Sequence, residues 1–481
     1  MSENSKLALL GGQPFREQPF RVEPMIGARE EELVLAAVRD CNFSRYIGSP
    51  SPDLEAQLRQ TSAEAVKSAD YWNFLGGPNV RQFAAAFANK VGVPFAIPVN
   101  SATTGISVAL AAARVSAGDE VIVPAISYTA SATAILMFNS IPVFADVDPL
   151  TFCLDPASVE AAITPRTKAI LVVHLVGNLA DMDALERIAK KHGLVIIEDA
   201  AQAPGASWKG KSAGAIGDAG VFSFQQSKNI MTGEGGMIVT HDAEIARRAR
   251  LIINHGEGVM SPDASEHDLA DIVGFNFRLP ELCAAVGIAQ IERMDEVNEW
   301  RTGNADVLRR GLAEIPGIDL PPCQRQESNG ETVDVPHLFV ALHNAEAMGI
   351  DRDLFVLALR AEGIPVGTGY ARCMYENPLF LKKIAYGENG SPWSDRAYNA
   401  DRQYASGLCP VAESLLYEKF LWFYHIAYSS TEDDMKDIVG AVRKVVDNTD
   451  ALSQARESLS DELGAFSQGR IGVDPKQLKT G

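Results

Sequence analysis

The chain has 481 residues, of which 46% are apolar, and a formal net charge of -19. This length predicts two or three compact units of ordinary globular composition. Because the charge is acidic and no basic stripe is present, the sequence argues against nucleic acid as a partner. The longest apolar run, which begins at Ala169, is far shorter than the roughly 20 residues that a bilayer requires, so no membrane span is expected.

The six cysteines are scattered along the chain without a CxxC pair. Their spacing therefore predicts neither a zinc site nor a disulfide framework. The N-terminal stretch lacks the charged and apolar regions of a signal peptide. We expect a cytoplasmic protein with reduced thiols and no metal site.

Two segments precede the first predicted domain. Residues 1–47 are expected to pack on the domains that follow. Residues 48–73 open with a Ser/Pro-rich turn and continue as a weakly amphipathic helix, which suggests an insertion. Residues 74–305 then alternate short β-branched runs with amphipathic stretches, a pattern typical of βα units around a mostly parallel sheet.

Seven strands are predicted in this large α/β domain, and several are apolar on both faces, as strands between helix layers must be. The strands lie at 95–100, 120–125, 141–147, 169–176, 194–199, 220–224 and 235–240. Helices are predicted between them, including "DMDALERIAKKHG", which ends on Gly193. The stretch 281–312 is predicted to be one long helix that carries the chain out of the domain.

A smaller C-terminal α+β domain is predicted for residues 306–450. Its strands are expected at "HLFVALH" (337–343) and "YHIAYS" (424–429), with a helix at "RDLFVLALRAEG". The tail, residues 451–481, is polar and is expected to be poorly ordered at its end.

Three short stretches could carry chemistry. Asp199 ends an apolar strand, so its carboxylate is expected at the carboxyl edge of the sheet, where open α/β folds bind ligands. The cluster Ser101, Ala102 and Thr103 follows another strand where a helix should begin, which favours an anion site. Taken alone, the aspartate also fits a cap of the next turn and the cluster an ordinary N-cap.

Lys228 is the third candidate. It lies a few residues past a strand and is followed by the glycine-rich "TGEGG", which permits close backbone approach. Burial would lower its pKa and make the amine a nucleophile toward an aldehyde, although a solvated loop lysine is the commoner explanation for such a position.

Together the three signals match the three groups by which pyridoxal 5'-phosphate is held: phosphate, pyridine nitrogen and aldehyde. In this interpretation Asp199 keeps the pyridine nitrogen protonated. Lys228 binds the cofactor covalently and, once displaced by substrate, moves a proton between the substrate carbon and the cofactor carbon.

The same stretches, "NSATT", "VIVPAISYTASATAI", "EDAAQAPGA", "SFQQSKNIMTGEGGM" and "GFNFRLPELCAAVGIAQIERMD", resemble the DegT/DnrJ/StrS sugar aminotransferases in order and spacing. The resemblance covers nearly the whole chain. It implies the fold type I architecture of pyridoxal-phosphate enzymes, with a mostly parallel seven-stranded sheet flanked by helices and a smaller C-terminal α+β domain.

By position, the resemblance makes Lys228 and Asp199 the catalytic residues and implies further cofactor contacts. Gln202 would contact the ring hydroxyl, Tyr128 would stack on the pyridine ring, and Asn276 would reach the phosphate bound by a neighbouring subunit. Each active site would then need two chains, so a homodimer is implied. The residues expected at the phosphate are Ser101, Ala102, Thr103 and Ser223.

The lysine also separates two reactions. Family members that perform dehydration carry histidine in its place, so Lys228 favours transamination. "SFQQSK" resembles the branch that aminates keto-cyclitols such as scyllo-inosose or makes aminohydroxybenzoate, typically with glutamine as donor. We expect transfer from glutamine or glutamate to the ring ketone of a keto-cyclitol or keto-sugar.

Three alternatives remain at this point. The acceptor could be a nucleotide-linked keto-sugar, or the chain could bind the cofactor as a regulator without turnover. The third alternative is a nicotinamide-dependent dehydrogenase. Such an enzyme would require a G-x-G-x-x-G after the first strand, and "NSATTG" does not supply it.

Overall fold

The computed structural model describes residues 6–21, 23–41, 43–46, 75–256, 272–328, 331–398 and 400–468. The predicted insertion, 48–73, and the end of the predicted tail lie outside these residues. Within the described part of the chain, no helix combines the length and the apolar character needed to cross a membrane. All six cysteines are unpaired.

Two sheets and a small hairpin make up the β-structure. The strands are β1 (Phe95–Val99), β2 (Glu120–Pro124), β3 (Ile141–Ala145), β4 (Thr167–Val173), β5 (Val195–Asp199), β6 (Ser207–Trp208), β7 (Lys211–Ser212), β8 (Ala219–Ser223), β9 (Gly236–Thr240), β10 (Ile318–Asp319), β11 (Phe339–His343), β12 (Val366–Gly367) and β13 (Phe420–Phe423).

The large sheet has seven strands in the order β1-β9-β8-β5-β4-β2-β3. β2, β3, β4, β5 and β8 pair in parallel, whereas β9 runs antiparallel to its neighbours β1 and β8. β2, β3, β8 and β9 are buried at every position, which explains their continuous apolar sequences. The predicted mostly parallel seven-stranded sheet is therefore confirmed.

Helices cover this sheet and the smaller one. They are α1 (Ala28–Arg39), α2 (Pro78–Val91), α3 (Ala102–Ala112), α4 (Ala130–Leu136), α5 (Pro156–Ala162), α6 (Met182–His192), α7 (Ala243–Ile253), α8 (Glu281–Glu292), α9 (Met294–Leu312), α10 (Gln324–Glu327), α11 (Ala345–Met348), α12 (Arg352–Ala361), α13 (Pro378–Leu381), α14 (Pro410–Ser414), α15 (Glu432–Val446), α16 (Thr449–Ala455) and α17 (Ser460–Gln468). Short 3₁₀ helices lie at Ala8–Leu10, Leu175–Gly177, Met374–Glu376 and Glu457–Leu459, and a π-helix at Leu415–Lys419.

The helix ends follow the local sequence. Asp181 caps α6 by accepting the N–H of Ala184 at 3.0 Å, and Gly193 ends the helix in the left-handed region. The single long helix predicted over 281–312 is wrong. Arg293, at φ -108° and ψ 8°, leaves the helical conformation and divides it into α8 and α9.

The smaller sheet has the order β10-β11-β13-β12 and is antiparallel throughout. The strand predicted at 424–429 is wrong, because β13 ends at Phe423 and turns follow it. The carbonyl groups of Ile426 and Ser430 accept hydrogen bonds from Asn304 Nδ2, at 3.2 and 3.0 Å, instead of pairing with a strand.

Both ends of the described chain pack on this smaller sheet and its helices. Leu7 and Phe20 share a core with β11, α12 and α15. Glu362 accepts the backbone N–H groups of Ala8 and Phe15, each at 2.8 Å. Leu452 and Leu459 of the C-terminal helices are buried in the same core, so the tail is helical as far as residue 468.

Candidate active site

Asp199 lies at the carboxyl end of β5, in the middle of the large sheet. Its side chain is 6% exposed. Oδ2 accepts the Ser131 hydroxyl at 2.8 Å and Oδ1 accepts the Ala201 N–H at 3.2 Å. Burial raises the pKa of Asp199, while these two donors and the charge of Lys228 act in the opposite direction. The carboxylate caps the next turn and also interacts electrostatically with Lys228.

A buried polar pair adjoins Asp199, and the sequence analysis did not predict it. Glu198 Oε2 accepts His174 Nε2 at 2.9 Å, and both side chains are fully buried. The Glu198 carboxylate also accepts the N–H groups of Gly214, Ile216 and Gly217 at 2.7 to 2.8 Å. This network fixes the end of β5 and the loop before β8.

Lys228 sits in the turn that follows β8. Its own N–H donates to the Gln225 carbonyl at 2.9 Å. The side chain is half-buried, and its amine has no hydrogen-bond or ion-pair partner in the described part of the chain. Burial lowers the pKa of Lys228, with Asp199 opposing and Arg301 adding to the effect. The predicted enclosed lysine is therefore present.

The phosphate residues expected from the sequence converge through sheet register. Ser223 pairs with Gly236, and Gly236 pairs with Val99, two residues before Ser101. Ser101 caps α3, accepting the Thr104 N–H at 3.2 Å. The N–H groups of Ala102 and Thr103 head the helix without an intrahelical partner, as the first turn requires.

Gly236 permits this approach because it has no side chain. A Cβ there would lie 2.7 Å from the Ser101 carbonyl carbon and 2.8 Å from the Ala102 nitrogen. Both neighbours are backbone atoms and cannot turn aside. The start of α3, Ser223 and Gly236 thus form a tight cradle that suits an anion.

Gln202 and Tyr128 lie at the same edge in different environments. Gln202 is buried; its Oε1 accepts the Val176 N–H at 2.8 Å and its Nε2 donates to the Tyr370 hydroxyl at 3.1 Å. Tyr128 is 67% exposed, which is unusual for a large aromatic side chain and leaves its ring free to contact a ligand.

Asn276 is not brought into contact with Lys228 or Asp199. It is exposed, and its Oδ1 accepts Arg278 Nε at 3.0 Å. The next residue, Phe277, accepts the N–H of Asn100 at 2.8 Å, which places this loop beside the start of α3.

A second polar group near Lys228 was missed in the sequence. Arg301 Nη1 donates to the His337 carbonyl at 2.8 Å, and His337 Nδ1 pairs with Asn229 Oδ1 at 3.1 Å. Asn298 Oδ1 accepts Asn229 Nδ2 at 3.4 Å. Burial lowers the pKa of Arg301 to about 10 and, with Lys228 and Arg301, holds the pKa of His337 well below its ordinary value.

The sequence feature that could have revealed these residues is the spacing of polar side chains on α9. Asn298, Arg301 and Asn304 recur every three residues and are all buried, so they form a polar stripe on the face that also buries Val297 and Leu308. A buried polar stripe at helical spacing indicates partners elsewhere in the fold.

Comparison with known proteins places this geometry in a family. The model of the DegT/DnrJ/EryC1/StrS aminotransferase family matches residues 53–443. An L-glutamine:2-deoxy-scyllo-inosose aminotransferase of Streptoalloteichus tenebrarius is 39% identical, covering 92% of this chain and 97% of the relative.

Two solved structures share the architecture. The structure of DesI in the presence of its TDP-sugar product is 27% identical with a TM-score of 0.73, covering 94% of this chain and 99% of that one. The structure of 3-amino-5-hydroxybenzoic acid synthase is 27% identical with a TM-score of 0.71, covering 90% and 100%. The implied fold type I architecture is confirmed.

Proposed function

The chain belongs to the DegT/DnrJ/EryC1/StrS aminotransferase family and is an aminotransferase, and we propose that it transfers nitrogen from glutamine to the ring ketone of a keto-cyclitol. Glutamate is the alternative donor. The main observation behind this proposal is the amine of Lys228. It is half-buried, has no partner in the described part of the chain, and interacts electrostatically with the buried carboxylate of Asp199. The name of the Streptoalloteichus relative supports both the donor and the class of acceptor.

The residues present fit pyridoxal 5'-phosphate as the cofactor. The cradle at the start of α3 offers N–H groups to a phosphate. The raised pKa of Asp199, which follows from its burial, would be brought back down by a cationic group, as a protonated ring nitrogen is. We assign Ser101, Ala102, Thr103 and Ser223 to the phosphate.

When bound, this cofactor supplies an aldehyde carbon for the travelling nitrogen and a ring that withdraws electrons. The Lys228 Nζ, whose pKa is lowered, would take a proton from the α-carbon of the donor and, in the second half of the reaction, give a proton to the ring carbon of the acceptor. Asp199 would hold the proton on the ring nitrogen. Hydrogen bonds with Val176 and Tyr370 fix the amide of Gln202, so that the amide would meet the ring hydroxyl of the cofactor in a defined orientation.

Lys228 also weighs against the dehydratase alternative, since family members of that kind carry histidine there. A nucleotide-linked keto-sugar remains the second candidate acceptor, favoured by the likeness to DesI, which was solved with its TDP-sugar product. The higher identity of the cyclitol relative favours the keto-cyclitol.

We further propose a homodimer that shares its active sites. Val273 is 74% exposed, Phe275 is exposed beside it, and Asn276 follows on the same loop. The exposed ring of Tyr128 would be covered in such an assembly. Asn276, which contacts neither Lys228 nor Asp199 of its own chain, would then serve the phosphate of the partner.

The test begins with borohydride treatment of the purified yellow protein. Reduction should fix the cofactor on Lys228, found by peptide mass, and Lys228→Ala should stay unlabelled while the exposed control Lys211→Ala labels normally. A label on any other lysine would refute the assignment. In a separate sample that has not been reduced, glutamine should bleach the yellow form, and a screen of keto-cyclitols and nucleotide-linked keto-sugars should identify the acceptor that restores it.

A further inference from the structure

Among the residues that the structure describes, Arg301 is a buried cation without a counter-charge. Its side chain is 6% exposed and makes one hydrogen bond, from Nη1 to the His337 carbonyl. In the described part of the chain, neither Nε nor Nη2 has a hydrogen-bond partner. Nε is fully buried, whereas Nη2 is not. No carboxylate of the described chain forms an ion pair with it. Burial of an unpaired guanidinium is costly, so such a group indicates an anionic ligand.

Arg301 lies near a second cation, Lys228. Arg301 acts electrostatically on both Lys228 and His337, so the three groups lie in one neighbourhood. Asp199 is the one described carboxylate that acts on Lys228, and it would be engaged by the cofactor ring. A second negative group is therefore needed beside Lys228.

Hydrogen bonds connect the Arg301 guanidinium to the residues around Lys228 and Gln202. His337, which accepts its hydrogen bond, donates its own N–H to the Val176 carbonyl at 2.9 Å. Val176 in turn donates to Gln202. Asn229, next to Lys228 in sequence, bonds to the His337 ring. Arg301 is thus fixed relative to both Lys228 and Gln202 before any substrate arrives, which is what efficient recognition requires.

We propose that Arg301 binds the carboxylate of the amino donor and so orients its α-carbon toward Lys228. A carboxylate fits better than a phosphate, because the start of α3 already provides a phosphate cradle and a keto-cyclitol carries no charge. The Nη2 edge offers the charge-assisted hydrogen bond that carboxylates prefer. This inference rests on the proposed function for the identity of the donor.

The experiment compares the holoenzyme with Arg301→Gln, Arg301→Lys and the control Arg310→Gln, which removes a charge from an exposed site on the same helix. Glutarate, a dicarboxylate without an amine, is titrated calorimetrically. The bleaching of the yellow form is then timed with glutamine and, separately, with an aminocyclitol, which runs the second half-reaction backwards and has no carboxylate.

Arg301→Gln should weaken glutarate binding about 10- to 100-fold, the range expected for a lost charged hydrogen bond. Bleaching by glutamine should slow by a similar factor, bleaching by the aminocyclitol should be unchanged, and Arg301→Lys should recover part of the loss. Unchanged glutarate binding, or equal losses with both amines, would overturn the proposal. If the unmodified enzyme ignores glutamine altogether, the proposed donor is wrong, while the glutarate titration still decides the role of Arg301.

Discussion

The Ser131 hydroxyl donates to Asp199 Oδ2 at 2.8 Å and contacts the Ser127 hydroxyl at the same distance. The hydrogen bond from Ser131 is the largest of the effects that hold the pKa of Asp199 down against the effect of burial. A serine on α4 therefore favours the ionised form of the carboxylate at the end of β5.

Ser131→Ala should raise the pKa of Asp199 further, since burial remains and a donor is lost. If the reaction requires the ionised carboxylate, the acid limb of the pH–kcat/KM profile should move to higher pH. Activity near neutral pH should fall about tenfold, as a lost hydrogen bond to a charged group costs about 1.5 kcal/mol. Ser127→Ala, which removes only the outer hydroxyl, is the control and should have a smaller effect. An unmoved acid limb in Ser131→Ala would show that Asp199 does not limit the rate.

Gly236→Ala should damage the cradle at the start of α3. The new methyl group would press on the backbone of Ser101 and Ala102, and overpacking against atoms that cannot turn aside costs about 1 to 3 kcal/mol. Cofactor affinity, measured by equilibrium dialysis, should fall at least about tenfold. Gly303→Ala is the matched control, because a Cβ at Gly303 on α9 meets nothing within 4 Å. Equal affinities in both variants would argue against this cradle as the phosphate site.

Much of this architecture followed from the sequence. All seven strands of the large sheet are present, although β4 begins and ends earlier than predicted. These strands are buried on both sides, so their apolar runs carry a clear signal. Asp199 and Lys228 were chosen as candidates from the same signal, since Asp199 ends such a run and Lys228 lies a few residues beyond one.

The remainder depended on contacts distant in sequence. Asn298, Arg301 and Asn304 look like the solvated face of an amphipathic helix until their partners Asn229, His337 and Ile426 are known. The strand predicted at 424–429 also depended on such contacts, because the Ile426 carbonyl within it accepts a hydrogen bond from Asn304. Periodicity gives the spacing of polar residues and does not say whether they face water or another polar group.

His343 should make the protein sensitive to acid. The side chain is 2% exposed, and neither ring nitrogen has a hydrogen-bond partner among the described residues. Burial and the charge of Arg352 lower the pKa of His343 from 6.5 to about 4. Because the unfolded chain binds the proton more readily, the stability present above pH 6.5 is lost as the pH falls toward 4, by about 3 kcal/mol in total.

His343→Leu should therefore flatten the loss of stability over this pH window, measured as the urea midpoint at several pH values. The exposed His241→Leu is the control and should leave the profile unchanged. His425, whose pKa burial also lowers to about 4, should retain some acid sensitivity in the variant. A parallel profile for His343→Leu and the unmodified protein would contradict the expected role of His343.

The shared active site can be tested by mixing inactive chains. In a heterodimer of Lys228→Ala and Asn276→Ala, one site should combine an intact Lys228 from one chain with an intact Asn276 from the other. Random exchange of subunits should then restore about a quarter of the unmodified activity, since half of the dimers are mixed and each has one intact site. Mixing Lys228→Ala with Asp199→Ala is the control and should restore nothing, because those two residues act within the same chain. No recovery in the first mixture, with exchange proven by mass spectrometry of tagged chains, would mean that Asn276 does not act across a dimer.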